Sequence, residues 1–205
     1  MSLVGDVHGG YVHGRRVRVL AGHLARLLPP GSEVLDVGCG DGLLSLAVAR
    51  ARPDVRVAGL DVLPRAEAHI PVSLFDGRCI PRPDRGADVL MFVDVLHHTP
   101  DPMVLLREAA RVARRAIVIK DHLLAGPLAG PTLRLMDRVG NARHGVALPY
   151  TYWPPERWTA AFAELGLELE ARSERLGLYP WPADCVFGRS LHFVARLRPA
   201  GPGRV

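Results

Sequence analysis

Val34-Leu35-Asp36-Val37-Gly38-Cys39-Gly40-Asp41-Gly42 is the stretch on which the fold turns. Glu33 to Val37 reads as a short buried strand, and Leu43 to Arg50 carries Leu43, Leu46, Ala47 and Val48 at helical spacing. The glycines therefore stand at a strand-to-helix turn. Glycine at alternate positions lets the backbone turn sharply and approach a ligand, whose polar end meets the N-terminus of the following helix. In the dinucleotide fingerprint the third glycine lies three residues after the second, so that helix and strand pack around a pyrophosphate. Here it comes after two. Asp36, inside the strand end, would repel phosphates and attract an ammonium or sulfonium. Asp61 follows the next apolar run, Val55 to Leu60, at the position from which a carboxylate can accept both hydroxyls of a ribose. Together the two acids predict a nucleoside carrying positive charge.

Outward from this turn the chain keeps a strand-helix rhythm. Val19, Leu20, Leu24, Leu27 and Leu28 recur at helical intervals between Arg15 and Leu28, and Pro29 and Pro30 stop the pattern. Val72 to Phe75, Ala87 to Phe92 and Ala116 to Ile119 predict a third, fourth and fifth strand, with a helix from Pro102 to Val112. Runs apolar throughout, rather than alternating, belong to a parallel sheet covered on both faces. Residues 123–152 depart from the rhythm: Leu133, Leu135, Met136 and Val139 form an amphipathic piece flanked by Gly126, Pro127, Gly130 and Pro131, read as a lid helix over one end of the sheet. Pro155 to Leu165 predicts another helix with Gly166 as its stop. Leu167 to Leu176 and Leu191 to Leu197 predict two closing strands, antiparallel to each other. The expectation is one α/β domain over residues 1–205, doubly wound and Rossmann-like, with the lid inserted after strand five.

VLDVGCGDG followed by GLDV resembles the first two motifs of class I S-adenosylmethionine-dependent methyltransferases. ADVLMFVDVLHHTPDP resembles the fourth-strand motif of the small-molecule branch that includes quinone-biosynthesis C-methyltransferases, and ARRAIVIKDH resembles the fifth. The likeness covers about Gly31 to Lys120. It implies seven strands with the last antiparallel, and S-adenosyl-L-methionine as cofactor. By resemblance Gly38, Cys39 and Gly40 lie under the methionine part, with Asp36 near its ammonium. Asp61 is on the ribose, Val62 beside the adenine, and Asp76, in Phe75-Asp76-Gly77, on the adenine amine. Val93 and Asp94 lie near the reactive methyl. Asp76 can equally be a plain turn residue, since Asp-Gly is a turn signal by itself.

Methyl transfer is an in-line displacement, so alignment supplies much of the catalysis, and a base is needed only for some nucleophiles. Candidates cluster beyond the carboxyl ends of the strands: His97 and His98 after the fourth, Asp121 and His122 after the fifth. His144 is a candidate from the lid. A neutral histidine suits proton removal near pH 7, and pairing with Asp121 or Asp94 would raise its basicity. His97 and His98 can also be helix-capping or packing residues. An ion held by His97, Asp121, His122 and His144 is conceivable, but no compact ligand pair at helical spacing supports one, so no metal is expected.

With 205 residues, 48% hydrophobic and 23% charged, the composition is that of a folded chain. Net charge is +5 and the pI is near 9.6, yet the basic residues are spread along the chain, and Lys120 is the only lysine. An RNA methyltransferase is the first competing reading, but the Asn/Asp-Pro-Pro-aromatic motif of enzymes that methylate base amines is replaced by Val93-Asp94-Val95-Leu96. A non-catalytic cofactor-binding partner subunit is the second. Cys39, Cys79 and Cys185 lack the spacing of a zinc or redox site. With no apolar run approaching a membrane span and no cationic leader pattern, the expectation is a cytoplasmic enzyme acting on a small or medium-sized, partly apolar metabolite, with oxygen ranked ahead of carbon and nitrogen, both still open, as the acceptor.

Overall fold

The computed structural model describes residues 3–63, 65–141 and 148–201. Its strands are β1 (Glu33–Val37), β2 (Arg56–Asp61), β3 (Val72–Leu74), β4 (Ala87–Val93), β5 (Ala113–His122), β6 (Glu168–Ser173) and β7 (His192–Arg198). Among them run the helices α1 (Leu3–Leu27), α2 (Leu43–Ala51), α3 (Pro102–Val112), α4 (Ala129–Asn141) and α5 (Pro155–Glu164). β4 shows why these strands are mostly apolar. Leu90 and Phe92 pack with Leu105, Leu106 and Trp158 on one face of the sheet, while Val89 and Met91 pack with Leu20, Leu24 and Val48 on the other. A strand covered twice keeps a polar side chain only where a partner meets it, as Arg114 meets Asp88.

The sheet order is β3-β2-β1-β4-β5-β7-β6, with β7 antiparallel to both its neighbours and the other pairs parallel. The chain leaves β1 toward β2 and β3, then returns to lay β4 on the other side of β1. That reversal opens a crevice at the carboxyl ends of β1 and β4, the place where open α/β sheets receive ligands.

Local chemistry sets the helix ends. Asp101 accepts the Met103 N–H at 3.0 Å and Pro102 takes the first helical position, where its missing N–H costs nothing. α5 stops at Gly166, whose φ of 63° is left-handed, and the Leu167 N–H closes back on the Phe162 carbonyl at 2.8 Å. Trp158 on that helix is fully buried, and truncating it to alanine would cost about 3–5 kcal/mol.

The structure departs from the sequence reading in three places. α1 begins at Leu3 rather than near Arg15. Gly5, Gly9, Gly10 and Gly14 each disfavour a helix by about 1 kcal/mol relative to alanine, which erased the signal there. β5 extends in both directions from the expected Ala116 to Ile119, taking in the buried Lys120, Asp121 and His122. In α4, Leu133 is buried and Met136 partly so, but Leu135 and Val139 are 54% and 71% exposed, so two of the four apolar residues face outward. No helix of the described residues is long and apolar enough to cross a membrane.

Candidate active site

The glycine turn is held by β2. Gly38 and Cys39 donate their N–H groups to the Leu60 carbonyl at 2.7 and 3.1 Å, and Gly40 donates to Asp61 Oδ2 at 2.7 Å. Gly38 has φ 78°, and a Cβ there would meet Val95 Cγ2 at 2.5 Å. Gly40 has φ 60°, and a Cβ there would meet nothing within 4 Å, because the turn faces a cavity. That cavity, of about 690 Å³, is lined by Asp36, Gly38, Cys39 and Gly40 from the first turn, by Asp61 and Val62 after β2, and by Phe75 and Gly77 after β3. Val93, Asp94, Val95 and His98 close it from β4, and Arg16, Val17 and Leu20 close it from α1.

Two carboxylates define its polar floor. Asp61 Oδ1 accepts the Leu63 N–H at 2.9 Å while Oδ2 holds Gly40, so the acid is fixed by backbone on both sides. Asp36 is 3% exposed; one oxygen accepts the Ser45 hydroxyl at 2.5 Å and the other, Oδ1, is buried with no hydrogen-bond partner. Burial, with Asp61's charge adding to it and Ser45 opposing, pushes the Asp36 carboxyl up to about 7. A buried carboxylate oxygen without a donor is costly, and a cationic ligand in the cavity would remove that cost. Burial and the Asp36 and Asp61 charges push the Cys39 thiol up to about 12, which disfavours its thiolate.

Asp76 stands apart from this floor. It is exposed, its Oδ1 accepts the N–H groups of Arg78 at 2.8 Å and Cys79 at 2.7 Å, and it is absent from the cavity wall that Phe75 and Gly77 line.

His97 and His122 lie behind the cavity wall. His97 Nδ1 lies 2.5 Å from Asp121 Oδ1, which also accepts the His122 N–H at 2.7 Å, while Asp121 Oδ2 accepts the Leu96 N–H at 3.0 Å. Burial lowers the His97 pKa, but Asp121 and Asp137 outweigh it and raise the imidazole to about 10. His122 goes the other way, pressed down to about 4 by burial and by the neighbouring His97 and Lys120 charges. Both rings and Asp121 are buried outside the cavity wall. His98 borders the cavity, with its pKa lowered by burial and by His97. His144 lies outside the described residues.

A family model described as a methyltransferase domain matches residues 11–172. The chain belongs to the class I S-adenosylmethionine-dependent methyltransferases. Among curated relatives, 27-O-demethylrifamycin SV methyltransferase of Amycolatopsis mediterranei is 29% identical over 181 residues, covering 80% of this chain and 64% of the relative. Ubiquinone biosynthesis O-methyltransferase of Xanthomonas campestris is 35% identical over 102 residues, 44% of this chain and 42% of the relative. The chain thus spans less than two thirds of the length of either. A solved complex of a putative methyltransferase with the Trm112 activator of Haloferax volcanii has a TM-score of 0.69 at 16% identity, covering 96% of both chains, a likeness of fold.

Three side chains of this methyltransferase's site were not singled out from the sequence. Arg16 of α1 donates to Asp94 Oδ2 at 2.6 Å, tying the first helix to the end of β4. Lys120, 0% exposed, donates to the other Asp94 oxygen and lies 3.3 Å from His192 Nδ1, whose Nε2 is 2.9 Å from the Phe187 carbonyl. Burial opposes the Asp94 charge, but Lys120, Arg16, His122 and His97 hold its carboxyl well below the usual range. Asp94 takes a left-handed φ of 56°, an uncommon conformation for a non-glycine residue and one this double ion pairing over-determines. Lys120 carried a signal that went unused: a lone lysine in a chain that otherwise employs arginine marks a place where the slimmer ammonium is required.

Proposed function

We propose that the protein transfers the methyl group of S-adenosylmethionine to an oxygen of a small, partly apolar metabolite. The observation that carries this reading is the unpartnered Asp36 Oδ1 beside Asp61 in one cavity: an ammonium completes the first acid, and ribose hydroxyls suit the second. Gly38, Cys39 and Gly40 form the floor under the methionine part, with Gly40 leaving room for it. Val62, Phe75 and Gly77 enclose the adenine, while Asp76 holds the turn that places Phe75 and Gly77. Val93 and Asp94 face the methyl-bearing end. The sulfonium supplies an electrophilic methyl; the chain supplies alignment and exclusion of water, and a well-aligned pair gains up to about 7–11 kcal/mol from that alone.

His98 is the histidine placed to touch an acceptor, and we assign it the orienting role. His97, Asp121 and His122 act as positioning residues behind it. Support for oxygen as acceptor atom comes from the rifamycin and ubiquinone relatives, both named for small-molecule methylation, the second for O-methylation. Many of the arginines bind carboxylates and carbonyls of the fold, as Arg111 does with Glu108, Asp84 and Arg82, which favours a structural role for them over a nucleic-acid surface. The test is transfer of labelled methyl from S-adenosylmethionine to a panel of hydroxylated aromatic and macrocyclic compounds, alongside nuclease-treated and untreated cell extract. Label on a hydroxyl of a nuclease-resistant small molecule is expected. Label confined to nuclease-sensitive material would overturn the substrate class.

A further inference from the structure

His97 and His98 sit in the turn that follows β4, and Asp137 projects from the lid helix α4 onto them. His97 is 1% exposed, and its Nε2 has no hydrogen-bond partner although Asp137 Oδ2 is 3.3 Å away. The Nδ1 of His98 is likewise buried without a partner, and His97, His98 and Asp137 each place one potential ligand atom within 4.8 Å of the other two. An imidazolium donating to a carboxylate would close to about 2.7–2.9 Å with the N–H aligned. Two ligands of a tetrahedral zinc ion, each about 2.0–2.1 Å from the metal, stand about 3.3–3.4 Å apart. The observed 3.3 Å matches that ligand spacing, and His97 Nε2 makes no aligned hydrogen bond to Asp137.

The groups around the three donors fit as well. Metal-bound histidines usually donate their other N–H to a carboxylate, and metal-bound carboxylates are themselves hydrogen-bonded. His97 has Asp121 on Nδ1 at 2.5 Å, and Asp137 accepts the Tyr152 hydroxyl at 2.5 Å. A second grouping, Asp94 with His97 and His122, is far less suitable, because Asp94 is already held by the cations Arg16 and Lys120. Imidazole with carboxylate is the donor set of zinc, cobalt and nickel rather than of magnesium or calcium.

We infer that His97 Nε2, His98 Nδ1 and Asp137 bind one divalent transition-metal ion, which clamps the lid helix to the turn after β4. Two ligands come from the turn after β4 and one from the lid, so occupancy fixes the position of α4. Water completes the coordination.

The test is dialysis of the full chain against Zn²⁺ with metal counting, and titration with Co²⁺ followed by visible absorption, for wild type and for Asp137→Asn, His98→Gln and His97→Gln. One equivalent of metal with a four-coordinate cobalt spectrum is expected, weakened at least tenfold in each variant. Zn²⁺ should slow amide exchange across residues 129–141 in wild type but not in Asp137→Asn. The Asp137 variant keeps the reading testable if the His97 variant does not fold, since it alters one lid side chain at nearly constant shape. A chain that takes up no metal overturns the inference, as does an equivalent retained in Asp137→Asn and His98→Gln. All readouts are independent of methyl transfer, so the site stands or falls apart from the proposed activity.

Discussion

The backbone N–H of Gly40 donates to the Asp61 carboxylate at 2.7 Å, joining the glycine turn after the first strand to the acid that ends the second. One side chain thus shapes the cradle and presents a carboxylate to it. Asp61→Ala should weaken S-adenosylmethionine binding by about 1.5–3 kcal/mol, the range for hydrogen bonds to a charged group. Asp61→Asn, which still accepts from Gly40, should lose less. Calorimetry on both variants checks this; equal losses would mean that Asp61 acts only through its charge.

Asp36 sets a pH dependence. Its folded carboxyl, raised from 3.8 to about 7 mainly by burial, holds more protons than the unfolded chain, so the apo protein loses stability as pH rises from about 4 through 7. The loss is on the order of 4 kcal/mol at its limit. Cofactor affinity should move oppositely, because an ammonium favours the carboxylate: it should climb by about tenfold per pH unit up to pH 7 and then level. Asp36→Asn should flatten both trends. A wild-type affinity indifferent to pH between 5.5 and 7 would remove Asp36 from the ammonium site.

The two glycines should fail differently. Gly38→Ala drives a methyl into Val95 at a φ of 78° and should destabilise the fold by about 1–3 kcal/mol, with part of the loss recovered by adding Val95→Ala. Gly40→Ala meets no atom within 4 Å and should cost about 1 kcal/mol in stability, while its methyl intrudes on the cavity and weakens cofactor binding. Thermal melts paired with binding titrations separate the two; identical profiles would contradict the geometry.

His98→Ala should lower turnover with cofactor affinity within about threefold of wild type, since the ring lines the cavity but bonds to neither Asp36 nor Asp61. His122→Phe should act mainly on stability, the His122 ring being buried behind the wall. Steady-state kinetics with a denaturation curve distinguish these. Unaltered turnover in His98→Ala would return the acceptor side to other residues.

The sheet was legible because burial on both faces leaves runs such as Val89 to Phe92 with no polar interruption, and because the glycine spacing and the acids Asp36 and Asp61 are local features. What escaped was long-range. Lys120, Asp121 and His122 look like a strand's polar end, yet they continue β5 because Asp94, His97 and His192 neutralise or hydrogen-bond them from elsewhere in the chain. Asp137 follows Leu133 and Met136 on the inward face of α4, a polar residue within an apolar stripe, and only the folded chain brings it to His97. Arg16 reads as one of many arginines until α1 lays it against Asp94.

The central claim is that the cavity over Gly38 and Gly40 is built for a cationic nucleoside. Calorimetric titration of the full chain with S-adenosylmethionine and, separately, with NADH at pH 7.5 tests it most directly. Saturable one-to-one binding of S-adenosylmethionine, weakened in Asp36→Asn and Asp61→Ala and absent for NADH, is the expected result. Tight binding of the dinucleotide with no heat from S-adenosylmethionine would contradict it.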